Sequence, residues 1–237
     1  LHVRSRRQRQ MCIRDRLGLI KADITQYLAS KASCVLVDPV CAVPQLVDDG
    51  IISRDTALLI GLDASGWDNT PEGYRLSRLA KGVDARRVRE LGATGGKIMV
   101  YLRSDQPEAN KHNIEILHKC IKDFSNEDLL LVVEFLTYKL DSETDEEYKA
   151  KVPELIYGGT QICLDAGSKV LKLPYPGSKQ ACAAITKLAG DVPWAVLSAG
   201  VDHETFLKQV EDAMSTGASG VIAGRSLWKD CISLDHN

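Results

Sequence analysis

Apolar strand-like runs that alternate with helix-like stretches, and polar residues late in those runs, predict an α/β chain folded as a (β/α)8 barrel. The runs fall at 34–39, 57–63, 95–102, 129–138, 169–174, 194–200 and 220–225. Helical stretches are expected at 17–30, 84–92, 107–125, 153–166, 178–190 and 202–217. Near-continuous apolar strands joined by helices need cover on their outer face, as a parallel sheet provides. The late polar residues are Asp38, Asp63, Lys97, Glu134, Lys172, Ser198 and Arg225. They sit where barrels carry out their chemistry, at the carboxyl ends of many strands. A doubly wound sheet would carry a glycine-rich phosphate loop after its first strand, and neither G-x-G-x-x-G nor G-x-x-x-x-G-K-[ST] occurs.

The first helix, 17–30, shows Leu19, Ile20, Ile24, Tyr27 and Leu28 at helical spacing, with no strand ahead of it. Seven strands are one short of a ring, so strand one is expected to be missing, with residues 1–16 standing in its place as a non-native or disordered arm. Of the chain's 30 basic and 32 acidic residues, six arginines and one aspartate fall in that arm, so the remainder carries −7. The arm lacks an apolar segment and an amphipathic period, which argues against a targeting signal or a nucleic-acid partner. Residues 17–237 are then a single barrel domain, and a barrel lacking one strand would expose two sheet edges.

With 237 residues and 44% apolar content, the chain can bury a sizeable core. No stretch reaches the apolar length of a membrane span, so no membrane partner is expected. Seven scattered cysteines without a C-x-x-C pair fit reduced thiols in the cytoplasm. Five histidines lack ligand spacing, so neither a metal nor a cofactor is expected.

The run "KVLKLP" at 169–174 places Lys172 between Leu171 and Leu173. A buried ammonium is rare unless paired, because desolvation disfavours its charge. Side chains alternate along a strand, so Lys172 shares a face with Val170 and Pro174 while both leucines meet the helices. The same parity groups Lys97 with Met99 and Tyr101, and Glu134 with Val132 and Leu136. These three strands are expected to be neighbours, and their charges to converge. A structural ion pair would use only two of them. At the far end of the chain, "LSAG" (Ser198, Ala199, Gly200) and "AGRS" (Gly224, Arg225) offer small residues and a guanidinium where barrels hold phosphate. Asp38 in "VDP" is a candidate for substrate hydroxyls, or a plain turn starter. The acidic run "DSETDEE" at 141–147 reads as a solvated loop.

"GGKIMVYL", "VVEFLTY", "VLKLP", "PWAVLSAGV" and "GASGVIAGRSLW" together resemble the successive strands of the tagatose-bisphosphate and sulfofructose-phosphate aldolases, class I enzymes on a TIM barrel. The resemblance spans about 17–235. It implies that Lys172 is the Schiff-base lysine, that Glu134 and Lys97 are its acid/base pair, and that the 198–200 and 224–225 segments hold a 1-phosphate. It also implies that Arg103 and Ser104 in "LRSD" contact a distal anion. Two departures stand out: the family's strand-one aspartate and arginine have no counterpart, and Pro174 stands where a glutamate is usual. The expected function is cleavage of a ketose 1-phosphate to dihydroxyacetone phosphate and an aldehyde by a cytoplasmic homo-oligomer whose partner is a small sugar phosphate. The alternative is a barrel that has lost catalysis and binds sugar phosphates.

Overall fold

The computed structural model describes residues 6–40, 42, 43, 46, 49–53 and 55–229. Its strands are β1 (Cys34–Val37), β2 (Ala57–Gly61), β3 (Asp68–Asn69), β4 (Arg75–Leu76), β5 (Gly95–Tyr101), β6 (Leu130–Leu136), β7 (Val170–Leu173), β8 (Trp194–Leu197) and β9 (Gly220–Ile222). Seven of them form one sheet in the order β1-β2-β5-β6-β7-β8-β9, with every pair parallel. The order never reverses, so the sheet lacks the switch point of a doubly wound fold and follows barrel topology. Among the described residues β1 and β9 end the sheet, each with one strand neighbour.

The helices are α1 (Arg6–Leu28), α2 (Ala85–Glu90), α3 (Lys111–Asn126), α4 (Asp145–Asp165), α5 (Lys179–Ala189), α6 (His203–Ser215) and α7 (Arg225–Trp228). α1 starts inside the basic stretch 1–16, whose first five residues lie outside the described ones. In its second half Ala22, Thr25 and Ala29 beyond its end are buried, while Leu19, Ile20 and Tyr27 face outward. Cys41 and Cys231 also lie outside the described residues; Cys34, Cys120, Cys163 and Cys182 are free thiols. Among the described residues no helix is long and apolar enough to cross a membrane.

Strand parity divides the sheet into two chemistries. Ile60, Ile98, Val100, Val133, Phe135, Leu171, Leu173, Trp194 and Val196 pack with Leu117, Phe124, Ile156, Cys163, Cys182 and Ile185 of the helices in one apolar core. Each such side chain, fully buried, contributes about 1.5–3 kcal/mol. Gly96 lies on this face, where an added Cβ would stand 2.5 Å from the Phe124 ring, so the bare backbone lets α3 close on β5. The alternate residues Lys97, Glu134 and Lys172 are absent from that core and point to the inner face.

Two local expectations need correction. The stretch 141–147 is not a solvated loop throughout. Thr144 caps α4, accepting from the Glu147 N–H, while the Glu147 carboxylate accepts from the Thr144 N–H. This capping box starts the helix eight residues ahead of Pro153. The chain also makes an unforeseen hairpin, β3–β4, in the long connection between β2 and β5.

Candidate active site

Three inward side chains meet at one carboxylate oxygen. Lys172 Nζ donates to Glu134 Oε2 at 2.9 Å, and Lys97 Nζ lies 3.3 Å from the same oxygen. The register explains the meeting. Met99, Glu134 and Lys172 stand level across β5, β6 and β7, and Lys97, two residues back on β5, reaches up with its long stem. The side chains of Lys97, Glu134 and Lys172 are 10, 9 and 12% exposed, so the charges interact with little screening by water.

A fourth residue joins them. Lys97 Nζ donates to Asp63 Oδ1 at 2.5 Å, with Asp63 just past the end of β2. Burial works against the Lys97 charge, but the carboxylates of Glu134 and Asp63 outweigh it, and the pKa is raised. Lys97 is therefore a fixed cation beside the Lys172 amine. Asp63 was visible in the sequence as one of the late polar residues, yet nothing local to "GLD" tied it to a lysine 34 positions away.

The carboxyl ends of β8 and β9 bring Ser198, Ala199, Gly200, Gly224 and Arg225 together. Ala199 (φ 48) and Gly200 (φ 78) are consecutive left-handed residues. For alanine that conformation costs about 1–2 kcal/mol, strain of the kind found at ligand-binding turns. A Cβ on Gly200 would stand 3.2 Å from Arg225 Nη2, so the guanidinium lies flat over this glycine. Ser198 Oγ accepts from the Gly224 N–H at 3.3 Å, and Ser226 Oγ donates to Val201 O at 2.6 Å, which ties the two loops together. Among the described residues Arg225 has no carboxylate within ion-pair distance.

Three candidates fall elsewhere. Asp38 pairs with Lys21 of α1, and its Oδ1 accepts from the Val40 N–H at 3.1 Å, the turn-starting role. Arg103, expected to contact a distal anion, is engaged within the protein. It is fully buried, and all five of its N–H donors are spent on Asp105, Glu143 and the Tyr138 carbonyl, at 2.7–2.9 Å. Ser104 is likewise turned toward α4, donating to Leu155 O at 3.4 Å.

A second cluster, unforeseen in the sequence, stands at the mouth of the inner face. The Arg75 guanidinium lies 3.9 Å from the Trp67 ring centre, 4.9 Å from that of Tyr138 and 5.1 Å from that of Tyr101. The usable signal was an aromatic and an arginine between turn residues, "GWDNTPEGYR", in a connection too long for a simple crossover.

Comparison with known proteins gives the family and the fold. The family model described as DeoC/LacD family aldolase matches residues 8–230. Tagatose 1,6-diphosphate aldolase 2 of Enterococcus faecalis is 29% identical, over 90% of this chain and 69% of that protein. Tagatose 1,6-diphosphate aldolase of Staphylococcus epidermidis is 27% identical, over 91% of this chain and 72% of its own length. Among solved structures, an archaeal fructose 1,6-bisphosphate aldolase superposes with a TM-score of 0.66 at 22% identity, covering 87% of this chain and 77% of that one. A Schiff-base-forming fructose-1,6-bisphosphate aldolase gives 0.63 at 22% identity, over 82% and 72%. With its lysines and carboxylates gathered on the inner face of a barrel-type sheet, the chain belongs to the DeoC/LacD aldolase family.

Proposed function

We propose that this enzyme cleaves a ketose 1-phosphate with an anionic group at its far end, releasing dihydroxyacetone phosphate and an aldehyde through an imine on Lys172. The observation that carries this assignment is the pair of contacts at Glu134 Oε2, 2.9 Å from Lys172 Nζ and 3.3 Å from Lys97 Nζ. Glu134 takes a proton from the Lys172 ammonium, and the free amine adds to the C2 carbonyl. The carbinolamine loses its hydroxyl as water with a proton returned by Glu134, leaving a protonated imine. Glu134, ionised again, takes the proton of the C4 hydroxyl as the C3–C4 bond breaks, its electron pair flowing into the imine. The aldehyde departs, and the enamine is protonated at C3 by the Glu134 carboxyl. Water finally hydrolyses the imine, which releases dihydroxyacetone phosphate and restores the amine.

Lys97, held cationic by the carboxylates of Glu134 and Asp63, stabilises oxygen anions that form near C2. The Ala199–Gly200 turn and the Arg225 guanidinium hold the 1-phosphate. Candidate substrates are tagatose or fructose 1,6-bisphosphate and 6-deoxy-6-sulfofructose 1-phosphate, and the free thiols suit the reducing cytoplasm.

Borohydride reduction in the presence of dihydroxyacetone phosphate, followed by peptide mass mapping, tests the assignment. A stable adduct on Lys172 is expected. An adduct on another lysine, or none, removes the proposal.

A further inference from the structure

We propose that Arg75, in its cage of three aromatic rings, is the site that takes the far-end oxyanion group of the substrate, at carbon 6. The inference rests on the aldolase assignment of Lys172.

Three arginines lie in the segments that follow β2 and β5, and their partners differ. Arg78 is paired with Asp68 at 3.2 Å and donates to Ser65 O. Arg103 is saturated by two carboxylates and a carbonyl. Arg75, by contrast, has no carboxylate within ion-pair distance among the described residues. Aromatic faces attract a cation through their quadrupole, but they do not neutralise it. A guanidinium stacked on rings keeps its charge, and of its five N–H donors Arg75 shares a side-chain hydrogen bond only with Tyr101 among these rings, which leaves donors for an oxyanion.

The cage is also held still. Asn113 of α3, fully buried, accepts from the Ser77 N–H at 2.8 Å and donates to the carbonyls of Arg75 at 2.8 Å and Tyr101 at 2.7 Å. The Arg75 N–H donates to Tyr138 Oη at 3.2 Å. Trp67 and Tyr138 each meet Tyr101 edge-on, at centroid distances of 5.3 and 5.9 Å. One asparagine thus fixes the hairpin strand β4 to the end of β5, so little ordering remains to be done when an anion arrives.

Its position fits a two-ended substrate. Tyr101 shares the inner face with Lys97 and stands two residues, about 7 Å, nearer the mouth than the level of Glu134 and Lys172. In strand order β5 lies two strands to one side of Lys172 and β9 two strands to the other. Arg75 and Arg225 therefore flank the amine, and neither has a carboxylate partner. A ketose whose carbonyl lies at Lys172 and whose 1-phosphate lies at Arg225 directs its other end toward Arg75. The group bound there is a tetrahedral oxyanion, phosphate or sulfonate.

The test compares substrates with and without that group. For Arg75→Gln, kcat/KM with a ketohexose 1,6-bisphosphate and with the 6-deoxy-6-sulfo 1-phosphate is expected to fall about 100-fold, the worth of one to two charge-assisted hydrogen bonds. With the ketohexose 1-phosphate it should stay within about twofold, and Arg75→Lys should recover part of the loss because it keeps the charge without the fork. The wild-type ratio between the two doubly anionic substrates identifies phosphate or sulfonate as the preferred group. An equal loss on all three substrates, or no loss on any, overturns the assignment; thermal unfolding of the variant separates such a loss from misfolding. Dihydroxyacetone phosphate has no far end, so its borohydride adduct at Lys172 should be unaffected by Arg75→Gln. If the wild type forms no such adduct, the aldolase assignment fails instead. Arg75 is then judged by calorimetric binding of hexitol 1,6-bisphosphate against hexitol 1-phosphate, where an equal change in both affinities rejects it.

Discussion

Two buried charge networks lie at the same end of this sheet, built from similar residues and opposite in character. Around Arg103, Glu143 accepts from both terminal guanidinium nitrogens at 2.7 Å, Asp105 accepts from Nε and Nη2, and Lys151 closes on Glu143 at 2.8 Å. Every donor of the arginine is spent, in planar paired bonds that fix its geometry. Around Glu134, two ammonium groups share one carboxylate oxygen, one of them through a 3.3 Å contact. Lysine is a flexible point charge able to lose its proton, whereas arginine keeps its own at any working pH. The first network can only hold the β5 and β6 loops to α4; the second can move a proton.

The sharpest break in that comparison is Lys172→Met. Activity should fall by about 10⁵-fold or more, as when a covalent nucleophile is removed. Stability should hold or rise, because a buried charge gives way to an apolar side chain while Glu134 keeps Lys97. Steady-state kinetics and urea unfolding of the same preparation check both halves. Glu134→Gln should lower kcat by about 10²–10⁴-fold, the range for a general acid/base, with the fold intact by circular dichroism. A kcat within threefold of wild type would remove Glu134 from the proton path.

Glu143→Gln reverses the pattern. It leaves the fully buried Arg103 short of a charge partner, and should cost about 3 kcal/mol or more of stability by urea denaturation. Activity per folded molecule should stay within a few-fold of wild type. A stable but inactive variant would merge the two networks into one functional unit.

The smallest effect is the acid dependence of stability. Hydrogen bonds from the Arg103 guanidinium hold the Glu143 and Asp105 carboxyls below their ordinary range. The folded state therefore binds these protons less readily than the unfolded chain, so stability rises with pH through this region. The contribution is complete above about pH 4.5 and is lost as pH falls toward the lowered folded values. Urea midpoints should decline below about pH 5, and the decline should be shallower in Glu143→Gln. Parallel slopes for the two proteins would show that this network does not govern acid unfolding.

The two networks also differ in how far they could be read in advance. Lys97, Glu134 and Lys172 are placed by strand period alone, because alternation assigns a face to each side chain and parallel neighbours fix their level. Arg103 lies past the end of β5, where no period operates, and its position in "LRSD" could not distinguish an open anion site from a saturated arginine. Glu143 was hidden in the acidic run 141–147, 40 residues away, and an acidic run is ordinarily solvated. Trp67 and Arg75 share that blind spot, since both lie in the connection between β2 and β5.

By itself the sequence determined the alternation of strands and helices, the apolar outer face, and the inward amine with its carboxylate. These follow from short-range periodicity, which acts within a few residues of each position. Only the tertiary structure decided which arginine is saturated and which stays open. That choice depends on loop residues 40 to 63 positions apart, whose meeting is set by the packing of α3 and α4 against β5 and β6.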